Sequence, residues 1–202
     1  MKFLLLSFIF ISVLFADKYY IINNPVYTNI YSVKNKIPEI GIVHLTWGVV
    51  RQKIKRTNYF HTNKLISKKY QASNKNYVHA GLDKGHFSAS NADWDNNKTD
   101  MYYTFSFTNM TPQYPKTNRV SYRRVEDYGR KITKKYKSVF VINIAIPSNK
   151  YLKNKINIPS MYYKIFMYNN KKECYKIPNN NKIYSLNEMK IKCSTIEINT
   201  DF

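Results

Sequence analysis

A chain of 202 residues holds one domain, with room for extensions but not for a second full core. Its 33 Lys and Arg against 12 Asp and Glu give a formal charge of +21. With 44% apolar and 16% aromatic residues it still has enough material for a real core. That field selects a polyanionic partner, nucleic acid first and anionic membrane or wall polymer second, while five glycines in no phosphate-loop or dinucleotide pattern exclude the glycine-rich nucleotide-binding enzymes.

Met1-Lys2 precedes an apolar run from Phe3 to Ala16, which Asp17-Lys18 breaks. The run is short of the roughly 20 residues a membrane span needs and reads as an export signal, with a retained anchor as the alternative. Removal of residues 1–16 leaves a single domain over 17–202, periplasmic or secreted, with no stable membrane association. Residues 17–40 read as a polar and aromatic lead-in ending near Pro38. Gly41–Val50 is predicted as a strand. Residues 51–56 then add four cations in six positions, Arg56 the last of them. Residues 74–81 are turn-like and 91–100 form a polar loop. Tyr102–Phe107 fits either a strand or a short helix.

Pro112 and Pro115 bar a regular helix before Lys116. Val120, Val125, Tyr128 and Ile132 predict a helix from Asn118 to about Lys135, with Gly129 as its weak point. Ser138–Ile146 is the clearest strand and Pro147 stops it. Tyr162–Tyr168 is another strand, 179–181 a turn, and Ser194–Asn199 an alternating last strand. The expected class is α+β, a mostly antiparallel sheet flanked by helices. Cys174 and Cys193 are the only cysteines. In an exported protein they read as a disulfide closing a loop of about 20 residues, worth ~3 kcal/mol, against the alternative of two free buried thiols. No His or further Cys stands beside either to suggest zinc.

The chemistry concentrates in Leu82-Asp83-Lys84-Gly85-His86, then Thr108 to Gln113, then Asn118, Tyr122 and Glu126. A neutral imidazole at His86 can take a proton from water, given a partner that fixes its tautomer, either Asn109 or a backbone carbonyl. Gly85 permits a close backbone approach beside it. Asn118, Tyr122 and Glu126, at i, i+4 and i+8, fall within about 80° on one helix face. An amide oxygen at Asn118 suits Mg²⁺, and Glu126 can hold that ion's waters. Asn118 also has the chemistry of an N-cap. His79, Asp83 and His86 offer a less well-spaced transition-metal set. Ser88 and Ser90 lack a nucleophile-elbow pattern. Asn97 and Asn109 begin glycosylation sequons of the kind that occur by chance.

In these residues the chain resembles the DNA/RNA non-specific endonucleases, the ββα-metal (His-Me finger) nucleases that include endonuclease G. That family carries Asp-Arg-Gly-His, a Ser/Thr-Asn-Met/Ile-x-Pro-Gln segment, and Asn-x-x-x-Trp-x-x-x-Glu on a helix. Here these read Asp83-Lys84-Gly85-His86, Thr108 to Gln113, and Asn118, Tyr122 and Glu126, with order and spacing kept. The resemblance spans about Val43 to the C-terminal Thr195–Phe202 segment. It implies the ββα-metal nuclease fold, His86 as general base and Asn118 as the one direct metal ligand. It further implies Glu126 as the carboxylate supporting the metal's water and Asn109 as an amide shaping the site. Arg130 matches a phosphate-contacting arginine and Arg56 an upstream one. Lys84 stands where the family has arginine, keeping the charge without the two-pronged grip on phosphate. Tyr122 replaces a tryptophan in a packing role.

The expected activity is hydrolysis of internal phosphodiester bonds with one Mg²⁺, or Mn²⁺ in its place, leaving 5′-phosphate ends. The partner is DNA, with RNA a second candidate, and no nucleotide cofactor is implied. Lys84, Arg130 and Arg56 bind the backbone rather than bases, so sequence preference is small. The alternative is an exported basic DNA-binding or uptake protein that keeps the fold without the activity.

Overall fold

The computed structural model describes residues 19–51, 55–88 and 98–196; the predicted export signal over 1–16, Ser90 and Asn97 lie outside the described residues. The strands in chain order are β1 (Tyr19–Asn23), β2 (Thr28–Ser32), β3 (Ile37–Thr46), β4 (Asp83–His86), β5 (Met110–Gln113), β6 (Ser138–Ile146), β7 (Tyr151–Leu152), β8 (Ile156–Asn157), β9 (Met161–Tyr168), β10 (Lys171–Pro178) and β11 (Lys190–Ile191). The helices are α1 (Trp47–Val50), α2 (Asn74–Tyr77), α3 (Lys98–Thr104), α4 (Arg123–Tyr136) and α5 (Leu186–Met189).

The main sheet runs β1-β2-β3-β6-β9-β10-β11, antiparallel throughout. β6 lies at its centre because it alternates between two apolar faces. Val139 and Val141 point into the main core with Val43, Leu45, Tyr162 and Phe166. Ile142, Ile144 and Ile146 point the other way, against Ile165 and Cys174. The first face carries α4 and the two-stranded β4–β5 sheet. The second is covered at its β9–β11 end by Ile191, Cys193 and Ile196. Toward β3 on that second face, Ile42, His44 and Phe140 stand exposed. Cys174 is joined to Cys193 by a disulfide, with Cα atoms 5.3 Å apart.

The expected α+β class holds: a mostly antiparallel sheet with helices on one side. Several boundaries differ. Residues 17–40 do not form a lead-in; from Tyr19 on they make β1, β2 and the start of β3. The Asn24 side chain accepts from the amides of Val26 and Tyr27, closing the turn that lets β1 and β2 pair. The strand expected at 41–50 is β3, displaced to 37–46, and its last four residues coil into α1. Residues 98–100 of the expected polar loop belong to α3, which settles Tyr102–Phe107 as helix followed by a 3-10 turn at Phe107–Asn109. Residues 74–77 form a single helical turn whose capping box joins Ser73 and Asn76. The described part of the predicted last strand is a 3-10 turn at Cys193–Thr195.

The predicted 118–135 helix extends over 115–136. Pro115 occupies its first turn, where a missing amide costs nothing. Asn118 is therefore inside the helix, its amide donating to the Tyr114 carbonyl at 2.9 Å, and is not an N-cap. Thr117–Tyr122 is a π-helical stretch. Gly129 is not a weak point but a contact point: a Cβ there would lie 2.7 Å from Cε1 of Phe166, so glycine lets α4 settle on β9. Lys137, left-handed at φ 71°, ends the helix by donating to the Thr133 carbonyl.

Candidate active site

β4 and β5 pair antiparallel, Asp83 opposite Gln113 and His86 opposite Met110. Side chains alternate along a strand, so Lys84 and His86 share one face of β4. That face is closed by aromatic rings. Phe105 meets the imidazole edge-on at 5.1 Å, and Phe60 lies 6.5 Å from it. The Lys84 ammonium sits 3.9 Å over the same Phe60 ring and donates to Asn74 Oδ1 at 2.8 Å. The Arg56 guanidinium lies 5.2 Å over Phe105.

His86 is buried and its Nε2 has no hydrogen-bond partner. Burial, and second the nearby Arg56 charge, push its pKa down to about 3. The ring is therefore neutral near pH 7, with a lone pair available on a ring nitrogen. Gln113, wholly buried, supports the strand from the other face and donates to the His86 carbonyl at 3.3 Å.

The helix is pinned along β4 at both ends. Asn118 Nδ2 donates to Asp83 Oδ2 at 3.0 Å. One turn on, the buried Tyr122 hydroxyl donates to the Phe87 carbonyl at 2.7 Å. The π-helical stretch carries both residues, so the 100° step behind the single-face arithmetic does not apply through it; π turns of this kind recur at functional sites. Arg119 grips Asp83 with two bonds, Nε to Oδ2 at 2.8 Å and Nη2 to Oδ1 at 2.7 Å. Burial alone would raise the Asp83 pKa, but hydrogen bonds from Arg119 and Asn118 outweigh it and hold the carboxyl below its usual range.

With its amide nitrogen on Asp83, Asn118 is left with a carboxamide oxygen to offer a cation. Glu126, half-buried on α4, is the carboxylate that follows on the same helix. These hard oxygen donors fit a divalent ion that keeps most of its own waters. The alternative set does not gather: His79 is exposed, Asp83 is held by Arg119, and no cluster of three His, Cys, Asp or Glu suited to a metal occurs among the described residues.

The remaining expected residues fall as follows. Asn109 is wholly buried; its Oδ1 accepts from the Ser88 amide at 2.9 Å and its Nδ2 donates to the Thr104 carbonyl at 3.0 Å. Its amide thus ties Ser88, two residues past His86, to Thr104, a positioning role. Arg130 is half-buried and ion-paired with Asp127. Arg56 Nε donates to Asn58 Oδ1. Sequence reasoning does not single out Phe60, Phe105, Asn74, Arg119 or Asn179. Asn179 holds the β5-to-helix turn, accepting from the Tyr114 amide at 3.0 Å and donating to Pro112 and Pro159 carbonyls. The only advance sign was its place in an asparagine-rich turn.

The sequence profile of the DNA/RNA non-specific endonucleases matches residues 11–202. Mitochondrial endonuclease G of Bos taurus is 28% identical over 122 residues, covering 54% of this chain and 40% of that protein. A nuclease of Nostoc sp. is 36% identical over 92 residues, 44% of this chain and 32% of its own length. The mitochondrial nuclease of Saccharomyces cerevisiae is 27% identical over 141 residues, 67% and 43% respectively. The matches span less than half the length of these curated relatives. Among solved structures, EndoG in the EndoG/EndoGI complex superposes with a TM-score of 0.76 at 22% identity, covering 86% of this chain and 80% of that one.

Proposed function

The chain belongs to the DNA/RNA non-specific endonuclease family, and from that premise we propose that it hydrolyses internal phosphodiester bonds of DNA, and also of RNA, with His86 as general base. Asn118 Oδ1 would hold a divalent cation, Mg²⁺ or Mn²⁺, and Glu126 would support that ion's waters. The observation that carries the proposal is the His86 imidazole: neutral, with a buried and unpartnered Nε2, on the strand whose first residue holds Asn118.

The imidazole removes a proton from water, which attacks phosphorus in line with the leaving 3′-oxygen and yields a 5′-phosphate end. An incoming phosphate offsets the Arg56 charge that depresses His86, so the base strengthens as substrate seats. Lys84 and Arg130 turn from Asn74 and Asp127 toward phosphate oxygens, joining Arg56 on the backbone. Phe60 and Phe105 keep water off the rest of the ring and preserve its neutral form. Asp83 orients the Asn118 amide so that oxygen, not nitrogen, meets the ion. The cation, when bound, supplies positive charge to the developing alkoxide and the phosphate.

The same proposal includes export after loss of residues 1–16, to the periplasm or beyond. The Cys174–Cys193 disulfide supports it, since such bonds persist in oxidising compartments. No helix among the described residues is long and apolar enough to cross a membrane.

Supercoiled plasmid incubated with the protein tests the core of the proposal. Nicking then linearisation is expected with Mg²⁺ and not with EDTA, and His86→Ala lowers the rate by about 100- to 10,000-fold. DNA binding with no cleavage under any divalent cation would instead leave a DNA-binding or uptake protein.

A further inference from the structure

His61 bridges to the 105–107 segment: its amide donates to the Phe105 carbonyl at 3.2 Å and the Phe107 amide to the His61 carbonyl at 2.8 Å. The ring contacts divide the side chains of 59–61 between two sides. Phe60 points in, against His86 and Lys84. Tyr59 and His61 point out, where they meet Tyr102 of α3. His61 and Tyr102 stack at 3.8 Å with planes 7° apart. Tyr59 adds a third ring, 5.9 Å from His61 and 6.1 Å from Tyr102, inclined by 30° and 27°. Tyr59 is 64% exposed and Tyr102 42%. Rings left this open bury little apolar surface for the fold itself.

A cleft of about 310 Å³ adjoins the stack, lined by His61, Tyr102, Tyr103, Asn63, Lys64 and others, with no carboxylate in its lining. Its size lies at the low end of the range for small-molecule sites, about 300–1,000 Å³. Lys64 lines the cleft, Lys55 and Arg56 come shortly before Tyr59 in the chain, and Asp100 is the one carboxylate on the short helix that carries Tyr102. Flat faces for bases beside cations for phosphates are the two halves of a single-strand binding surface. A paired base cannot present its face to a side chain without leaving its stack.

We propose that Tyr59, His61 and Tyr102 form a stacking ladder that receives unpaired bases flanking the scissile phosphate, making single-stranded nucleic acid the better-held substrate. The inference rests on the nuclease proposal above. The ladder lies one residue along the chain from Phe60, the ring that packs on His86, and the proposal has bases on the ladder and the phosphate at the imidazole belong to one bound strand.

The test is binding of fluorescein-labelled single-stranded and duplex DNA 20-mers to the His86→Ala protein in EDTA, which needs no cleavage and so is read independently of activity. Tight single-strand binding is expected. In Tyr59→Ala/Tyr102→Ala its Kd rises about 5- to 150-fold, the range for one stacked base lost, while duplex affinity changes less than twofold and Tyr59→Phe/Tyr102→Phe binds like the parent. Should the alanine variant fail to fold by circular dichroism, the intact protein is titrated with single strands carrying consecutive abasic sites. A Kd increase confined to a short window of those sites supports the ladder. Equal loss for single strand and duplex, or no effect of the substitutions or the abasic window, overturns it. Failure of the plasmid assay with the ladder result intact would fault the catalytic proposal alone.

Discussion

Gly85 lies against the buried side chain of Gln113: a Cβ at position 85 would fall 2.6 Å from Gln113 Cγ and closer still to Cδ. Gln113 is wholly buried and donates to the carbonyl of His86, so it has nowhere to withdraw. Gly85→Ala is therefore expected to push β4 away from β5, costing about 1–3 kcal/mol as overpacking does. It also lowers kcat, because His86 moves with the strand; a displacement near 1 Å can cost about 100-fold. Urea unfolding and plasmid nicking check both. Gln113→Ala in the same chain should recover part of the stability; if Gly85→Ala unfolds like the parent, the close approach is not what holds the base.

Asp83 orients Asn118 and is itself held by Arg119. Asp83→Ala frees the Asn118 amide to rotate. Removing an outer partner of a metal ligand commonly costs about 10- to 100-fold in affinity, so the Mg²⁺ concentration for half-maximal cleavage should rise by that order while His86 is untouched. Arg119→Ala should do less, since it leaves the carboxylate on Asn118. A Mg²⁺ titration of the cleavage rate distinguishes the two, and an unchanged midpoint in Asp83→Ala would remove Asn118 from the cation site.

The motif residues were legible because each works through local geometry: Asp83 to His86 is one strand, and Thr108 to Gln113 runs into its partner. β6 was legible because nine consecutive residues alternate between two apolar faces. β10 was not, since Lys171, Lys172, Glu173 and Lys176 mask its buried positions Cys174, Tyr175 and Ile177. The usable clue was Asn169-Asn170: both have positive φ, 43° and 56°, as a two-residue hairpin turn requires, and asparagine tolerates it. The site's closing wall was illegible for a different reason. Phe60 and Phe105 look like ordinary core residues until the fold carries both to His86 across distances no local pattern spans.

The Cys174–Cys193 bond ties the segment after β11 to β10, over Ile144 and Ile165, on the sheet face away from α4. Its removal as Cys174→Ala/Cys193→Ala is expected to lower stability by about 3 kcal/mol through the freer unfolded chain. Cleavage at low temperature should stay within twofold, because α4 and the β4–β5 sheet occupy the other face. Urea melts with and without reductant, followed by nicking at 20 °C, would show it. Loss of cleavage at temperatures where the variant is still folded would mean the C-terminal segment reaches the site.

His86 sets the sign of an acid effect on stability. Its folded pKa, about 3, lies below the ordinary value of 6.5 because burial, and then Arg56, disfavour the imidazolium. Between those two values the unfolded chain binds a proton that the folded one does not, so stability increases with pH across the window. The contribution is complete above about pH 6.5 and drains away as pH falls toward 3. Asp83 runs in the same direction lower down: its depressed pKa gives stability that is present above its ordinary value and lost as pH drops through the folded one. His86→Leu removes the first effect and keeps the second. Urea midpoints measured from pH 7 to pH 4 should therefore fall less in His86→Leu than in the parent. Parallel curves would mean the imidazole takes up its proton without leaving its place, and that it is wetter and more basic than its setting between Phe60 and Phe105 implies.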